Sequence, residues 1–415
     1  MNENMKYKYC LFFIISAFVT LCVSCTEKTS IQNSSRVYFT IDPVRRKIVI
    51  PAHLSNDATA NLTFDSGASD GSLILDSTFL ASYPDFTFNV FPDTLLTGSA
   101  WATNRVLNLR YNTPLTIRIG NTDLMYSAVN VTNWRAAMFD NYTDGLFNIP
   151  LNDTHIWELN FEYYYLEIHT VENFQMPKNT FIVPLERRGI EHLGISSNSF
   201  HIQLPMQVKC PEGYSIMLDN TYLIDTGMPW DIVLREAGDM DFFNRRTDAV
   251  WTGYLDGHYR HYLVEATLFE HLHIDSLRLY KFSPFPVDKN LIGINFLKRF
   301  NVFFDMKNQQ LGLQPIENFQ RVVCPLARRF HFSFSLNQEG GRIVSMIANF
   351  DGNPYIEAGL QVGDEVIALN NIVFRSLTLE QWTYLQKQNT WILDIIRNGQ
   401  SMQLTVCLKN VVHGD

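Results

Sequence analysis

Two stretches constrain this chain more than any others: "LTFDSGASDGSLIL" at 62–75 and "YLIDTGMPWDIVL" at 222–234. Each is an apolar run, then Asp-[Ser/Thr]-Gly, then a few residues, then three consecutive apolar ones. D-S-G and D-T-G occur nowhere else in the chain. A second matched pair follows in the same order, "DGLFNIPLNDTHIWELNFEYYYLEIH" (144–169) and "KNLIGINFLKRFNVFFDMKNQQLGL" (289–313). Each member reads as an apolar pair, a short helical stretch and an aromatic strand. Two chance D-[S/T]-G tripeptides would be a roughly 1–2% event at average residue usage. The second matched element makes chance a poor account, so the chain carries a duplicated unit.

A lone D-S-G behind a strand is ordinary strand-to-turn punctuation. A duplicated one offers more. If the two halves pack about a pseudo-twofold axis, Asp65 and Asp225 meet. Two carboxylates that close cannot both ionise cheaply, so one proton is held between them. The ionised member can then take a proton from a bound water while the protonated member polarises a carbonyl. Titration would belong to the pair. Gly67 and Gly227 allow a tight turn and close approach of the opposite half. The Ser66 and Thr226 hydroxyls can bond the facing turn and hold the acids in register.

The surrounding pattern is β. "RVYFTI", "RKIVIPA", "ANLTF", "LNLRY" and "LTIRIG", then "TFIVPL", "FHIQLPMQV", "TYLIDTG", "HYLVEATL" and "LRLYKF", are short runs rich in β-branched and aromatic residues. Residues 36–316 therefore read as all-β with scattered short helices. The character changes near 325. "RIVSMIANF", "EVIALNN", "WILDIIR" and "MQLTVCL" read as strands, and "LTLEQWTYLQKQ" (377–388) as one helix behind an N-cap region. This makes a separate α+β module over 325–411.

The N-terminus reads as an address and not as part of the fold. Lys6 and Lys8 precede the apolar run "CLFFIISAFVTLCV" at 10–23, which is short for a bilayer span and suits a signal-peptide core. "CVSC" and a polar "TEKTS" follow. Residues 1–25 are taken as leader and 26–35 as linker. Of six cysteines, Cys10, Cys22 and Cys25 fall in the leader, leaving Cys210, Cys324 and Cys407. Cys324 and Cys407 are either a disulfide or two buried small apolar residues. A net charge of −9 speaks against a nucleic-acid partner. "HLHID" places His271 and His273 on one face of a strand, with His258 and His261 nearby, but without a Cys or carboxylate at fixed spacing neither a metal nor any other cofactor is expected.

The paired motifs resemble the aspartic peptidases of the retropepsin-like and pepsin-like kind, in a single-chain, two-lobed form with β-barrel lobes at 36–178 and 179–316. In that family each half carries D-[T/S]-G-[A/S/T], here Asp65-Ser66-Gly67-Ala68 and Asp225-Thr226-Gly227-Met228. Two apolar residues and Gly follow later. They stand as Leu146-Phe147-Asn148, with Asn in place of Gly, and Leu291-Ile292-Gly293. The resemblance implies endopeptidase activity on a peptide or protein substrate. It implies catalysis by Asp65 and Asp225, with Ser66, Gly67, Ser69, Thr226 and Gly227 in support. It also implies a hairpin flap, for which 95–107 with Trp101 and 251–264 with Tyr254 are candidates. Some members have a hydroxyl directly after the Gly, which lowers the carboxylate pKa. Ala68 and Met228 supply none, and Ser69 only in part, so the expected optimum is weakly acidic to near neutral.

"YIEAGLQVGDEVIALNN" (355–371) resembles a PDZ domain through Ala358, Gly359, Leu360, Gly363 and Asp364. That implies binding of an extended peptide beside a sheet edge, although "FHFSFSL" (330–336) lacks the usual carboxylate-loop Gly. The leader resembles a bacterial lipoprotein signal with Cys25 as the lipidated residue. It implies a membrane-anchored protein of the cell envelope, on the outer membrane facing the periplasm or at the cell surface. The alternative function is a non-catalytic peptide-binding lipoprotein.

Overall fold

The computed structural model describes residues 36–41, 47–54, 58–68, 73–83, 94–97, 107–132, 143–150, 153–192, 195–209, 213–234, 249–253, 258–283, 290–317, 319, 332–336, 342–349, 353–373, 381, 384–385 and 388–408. They form a mostly β protein with barrel-like sheets, as the alternating sequence pattern implies.

The duplication is written into the strand pairing. In the first barrel, Thr59–Phe64 runs antiparallel to Ile48–Leu54 and parallel to Gly145–Phe147. Gly145–Phe147 is antiparallel to Leu73–Asp76, which is parallel to Val129–Thr132. In the second, Ser215–Asp225 runs antiparallel to Ile195–Lys209 and parallel to Asn290–Gly293. Asn290–Gly293 is antiparallel to Ile232–Leu234, which is parallel to Leu272–Ser283. The registers agree as well: Phe64 pairs with Phe147 as Ile224 pairs with Ile292. Leu272–Ser283 then pairs with His258–Leu268, which returns to Ile195–Lys209 and closes the second barrel.

A six-stranded antiparallel sheet joins the two. Its order is Arg36–Tyr38, Tyr165–His169, Ile156–Asn160, Phe300–Asp305, Gln310–Pro315 and 181–184. The hairpin of 156–169 and the hairpin of 300–315 meet at its centre, where Trp157 pairs with Phe304. These two side chains knit the barrel cores together. Phe64 stacks on Trp157 at 5.9 Å and meets Phe304 edge-on at 6.4 Å, and Phe200 meets Phe304 at 5.8 Å. Burying one such aromatic contributes about 2–3 kcal/mol, so the seam is a substantial part of what holds the barrels side by side.

The close approach of strands in the first barrel rests on a glycine. Gly145 has φ +146°, and a Cβ there would lie 2.0 Å from the Ile74 carbonyl oxygen. Among the described residues, the expected short helix after the apolar pair is present in the second barrel, as Ile294–Leu297. In the first, residues 148–150 are irregular, and the Asn148 side chain accepts the Ile149 N–H.

The C-terminal segment has its own core, in which Trp391, Tyr355, Leu360 and Leu393 are buried. Gly359 and Gly363 adopt φ +87° and +97°, conformations that favour glycine. Asp364 is 1% exposed and accepts from Arg397 Nε and Nη2 at 2.6 and 2.7 Å. Most of the helix expected over 377–388 lies outside the described residues; 381 and 384–385 are helical. Cys407 is an exposed free thiol, not a buried small residue, and Cys324 lies outside the described residues. The strand Arg342–Asn349 also reaches across to the second barrel, pairing with Ala249–Gly253.

Candidate active site

Strand alternation decides where the two aspartates point. Leu62 and Phe64 face the main core, as do Tyr222 and Ile224. Thr63 and Asp65, and equally Leu223 and Asp225, therefore project from the opposite face. Each strand then turns: the Ala68 N–H donates to the Asp65 carbonyl at 3.3 Å and the Met228 N–H to the Asp225 carbonyl at 3.1 Å.

The two turns are locked by a reciprocal set of four hydrogen bonds. The Ser66 N–H donates to Thr226 Oγ1 at 2.9 Å, and the Thr226 N–H donates to Ser66 Oγ at 3.0 Å. Each hydroxyl in turn donates into the other barrel, Ser66 Oγ to the Ile224 carbonyl and Thr226 Oγ1 to the Phe64 carbonyl, both at 2.9 Å. Ser66 and Thr226 are completely buried, so all four polar groups depend on this exchange. The glycines come equally close. A Cβ on Gly67 would lie 2.3 Å from the Asp225 carboxyl carbon, and one on Gly227 would lie 2.3 Å from an Asp65 carboxyl oxygen. The structure thus brings together Asp65, Asp225, Ser66, Thr226, Gly67 and Gly227.

Each carboxyl thus lies against the glycine of the other turn, and Asp65 and Asp225 interact with each other. Burial first, and then the negative charge of Asp65, push the Asp225 carboxyl well above its ordinary value of 3.8; the charge of Lys47 and the Gly227 N–H act in the opposite direction. On the other turn the Gly67 N–H donates to Asp65 Oδ1 at 3.0 Å.

Small apolar clusters flank the pair on the same face. Beside Asp65, Ala68 packs on Ile74 and Leu146. Beside Asp225, Met228 packs with Leu223, Val233 and Leu291, together with Tyr280 and Trp230, whose rings stack at 5.4 Å. Met228 is thereby a buried wall residue. Sequence reasoning missed Trp230, Tyr280 and Lys47. The first follows the D-T-G by only a few residues, but the other two reach the site through strand pairing.

Asn148 stands where the second barrel has Gly293. A Cβ on Gly293 would lie 2.3 Å from the Trp230 carbonyl oxygen. Asn148 instead uses its side chain: Nδ2 donates to the Ala68 carbonyl at 3.1 Å and, more weakly, to that of Ser66 at 3.4 Å. Oδ1 accepts the Ile149 N–H at 2.7 Å, and the Asn148 carbonyl accepts the Tyr126 hydroxyl at 2.8 Å. Asn148 is a brace for the Asp65 turn.

Ser69, Trp101, Tyr254 and Cys25 lie outside the described residues. The stems of both candidate flap hairpins are described: Thr94–Thr97 against Leu107–Tyr111, and Ala249–Gly253 against His258–His261 within its longer strand. His271 and His273 do not share a strand face. His271 sits in the turn before Leu272–Ser283, tilted against the Phe181 ring at 5.3 Å, and His273 pairs with Asp275 at 2.8 Å on the surface. Among the described residues, Glu158, Glu167 and His169 form the one group with potential metal-ligand atoms together. Those atoms serve the central sheet: Tyr165 and His169 bind Glu158 at 2.6 and 2.9 Å, and Arg36 binds Glu167 at 2.7 Å.

No protein-family model matches the chain, and no curated protein is detectably similar to it in sequence.

Proposed function

We propose that this protein is an aspartic endopeptidase of the two-lobed, retropepsin-like kind, in which Asp65 and Asp225 share one proton and activate a water against a peptide carbonyl. One observation carries the reading: two acids from duplicated turns face each other, held by the reciprocal Ser66–Thr226 bonds and by glycines with no room for a Cβ. Two adjacent, partly desolvated carboxyls favour a single shared negative charge, the form that general acid–base hydrolysis needs. The apolar clusters beside them provide walls for substrate side chains. With no hydroxyl at Ala68 or Met228 to draw the pair toward ionisation, the pH optimum is weakly acidic to near neutral.

The C-terminal segment is proposed to be a PDZ module that recruits substrate or regulates the peptidase. The leader is proposed to anchor the protein by lipid at Cys25 in the cell envelope. Cleavage of a peptide library by the chain from residue 26 onward tests the central reading. Cleavage between pH 4 and 8, abolished by Asp65→Asn and by Asp225→Asn, is the expected result. Full activity in either variant, or none in the parent, overturns it and leaves a peptide-binding protein.

A further inference from the structure

Lys47 breaks the charge symmetry of the site. It is only 9% exposed and directly precedes Ile48, whose strand partner is Phe64, so it stands across from Asp65. In the second barrel the register of His201 against Leu223 puts Ser199 across from Asp225. Ser199 is buried and neutral, its hydroxyl donating to the Arg188 carbonyl at 3.2 Å. An ammonium taken this far out of water costs several kcal/mol unless negative charge lies near it. The acid pair supplies that charge, since Lys47 draws Asp225 toward its ionised form against burial and against Asp65. The ionisable groups beside Ser199 in the second barrel have other partners. The His201 ring bonds Ser199 Oγ at 3.1 Å, and Glu186 and Arg188 pair with each other at 2.7 Å.

We propose that Lys47 is a positioning residue for the pair: its ammonium, held across from Asp65, stabilises the single negative charge that Asp65 and Asp225 share. Two facing carboxyls resist losing even the first proton when they are desolvated. A fixed cation beside them lets that proton leave at lower pH. Without it, both ionisations of the pair move to higher pH. The inference deepens the peptidase reading and rests on it for its kinetic readout, while the titration of the pair can be followed without any substrate.

The test compares the parent with Lys47→Met, which keeps the stem and removes the charge, and with Lys47→Arg, which keeps the charge. Lys47→Gln serves if the Met variant does not fold. In protein labelled at the aspartate carboxyl carbons, NMR titration should show the pair's midpoints about one pH unit higher in Lys47→Met and returned in Lys47→Arg. The acid limb of kcat/KM should move up by the same interval, roughly a 10-fold loss of rate at a fixed pH on that limb. A merely structural lysine would lower stability and leave the midpoints where they were. Shifted midpoints with no peptide cleaved would keep this role for Lys47 and sink the peptidase reading. Cleavage with unmoved midpoints and an unmoved acid limb would sink the role of Lys47 and keep the peptidase.

Discussion

Gly67 in the first barrel lies so close to Asp225 in the second that a Cβ added to it would sit 2.3 Å from the carboxyl carbon. Gly227 stands in the same relation to Asp65. Each glycine thus fixes how near the opposite acid can come, and the pair exists only because neither turn carries a side chain at that point.

Gly67→Ala and Gly227→Ala should therefore force the acids apart. Each is expected to lower kcat/KM by at least ~100-fold, the size of effect that a displacement of about 1 Å produces, and to lower the melting temperature. The comparison that isolates the site is Gly213→Ala. That glycine has open space where a Cβ would go, although its φ of +90° makes the substitution strained. Loss of stability with full activity is the expected result there. A Gly67→Ala protein with parental kcat/KM would show that the two turns do not meet in solution.

Asn148 and Gly293 occupy matching positions and should not exchange. Asn148→Gly removes the brace on the Ala68 and Ser66 carbonyls and is expected to cost about 1–3 kcal/mol. Gly293→Asn drives a Cβ to within 2.3 Å of the Trp230 carbonyl oxygen and should be worse. Denaturant midpoints at constant m-value check the order. Asn148→Gly as stable as the parent would mean that the brace contributes nothing.

These positions also mark what sequence could and could not convey. The D-S-G and D-T-G turns and the succession of β runs along the chain follow from local pattern, because strands carry β-branched and aromatic runs bounded by turn residues. Ser66 and Thr226 were legible as paired hydroxyls because the D-[S/T]-G turn is duplicated. Lys47 was not, since it reaches the acids only through the register of Ile48 with Phe64. Nor were Tyr280 and Trp230, whose stacking depends on the parallel pairing of Leu272–Ser283 with Ile232–Leu234. Asn148 looked like a departure from a glycine. Its meaning lies in three side-chain bonds that only a folded turn presents.

The raised Asp225 carboxyl has a consequence for stability that is separate from catalysis. Burial and the Asp65 charge lift it well above 3.8 in the folded protein. A carboxyl with a raised folded value favours folding while it stays protonated. That contribution is complete below the ordinary value and is lost as pH rises through the folded one. Asp225→Asn cannot ionise, so its melting temperature should fall less than the parent's between pH 4 and neutrality and should exceed the parent's at neutral pH. Glu158 works in the opposite sense. Burial raises it, but hydrogen bonds from His169, Tyr165 and Asn160 outweigh burial and hold it below its ordinary 4.5. Its contribution is present above the ordinary value and lost as pH falls through the lowered one. Glu158→Gln should therefore melt below the parent at neutral pH and lose less on acidification, so the gap between them narrows as pH falls. Parallel melting curves for parent and Asp225→Asn across this range would show that the acid is not desolvated.

The strand Arg342–Asn349 gives the C-terminal segment a grip on the rest of the molecule. It is paired on one side with Phe332–Leu336 and on the other with Ala249–Gly253, where Trp251 lies opposite Ala348. Among the described strands the remaining partner of Ala249–Gly253 is His258–Leu268, so without Arg342–Asn349 it would have an open edge. An open edge frays, and its amides exchange with solvent through small local openings. A chain ending at residue 320 keeps the seam and both barrel cores, so it should fold. Its amides at 249–253 are expected to exchange at least ~10-fold faster than in the full chain, while those of Ser215–Asp225 keep their protection. This hairpin stem matches Thr94–Thr97 against Leu107–Tyr111 in the first barrel, so the truncation loosens one stem and leaves the other alone. Unchanged exchange at 249–253 after truncation would mean that the C-terminal segment does not hold the stem.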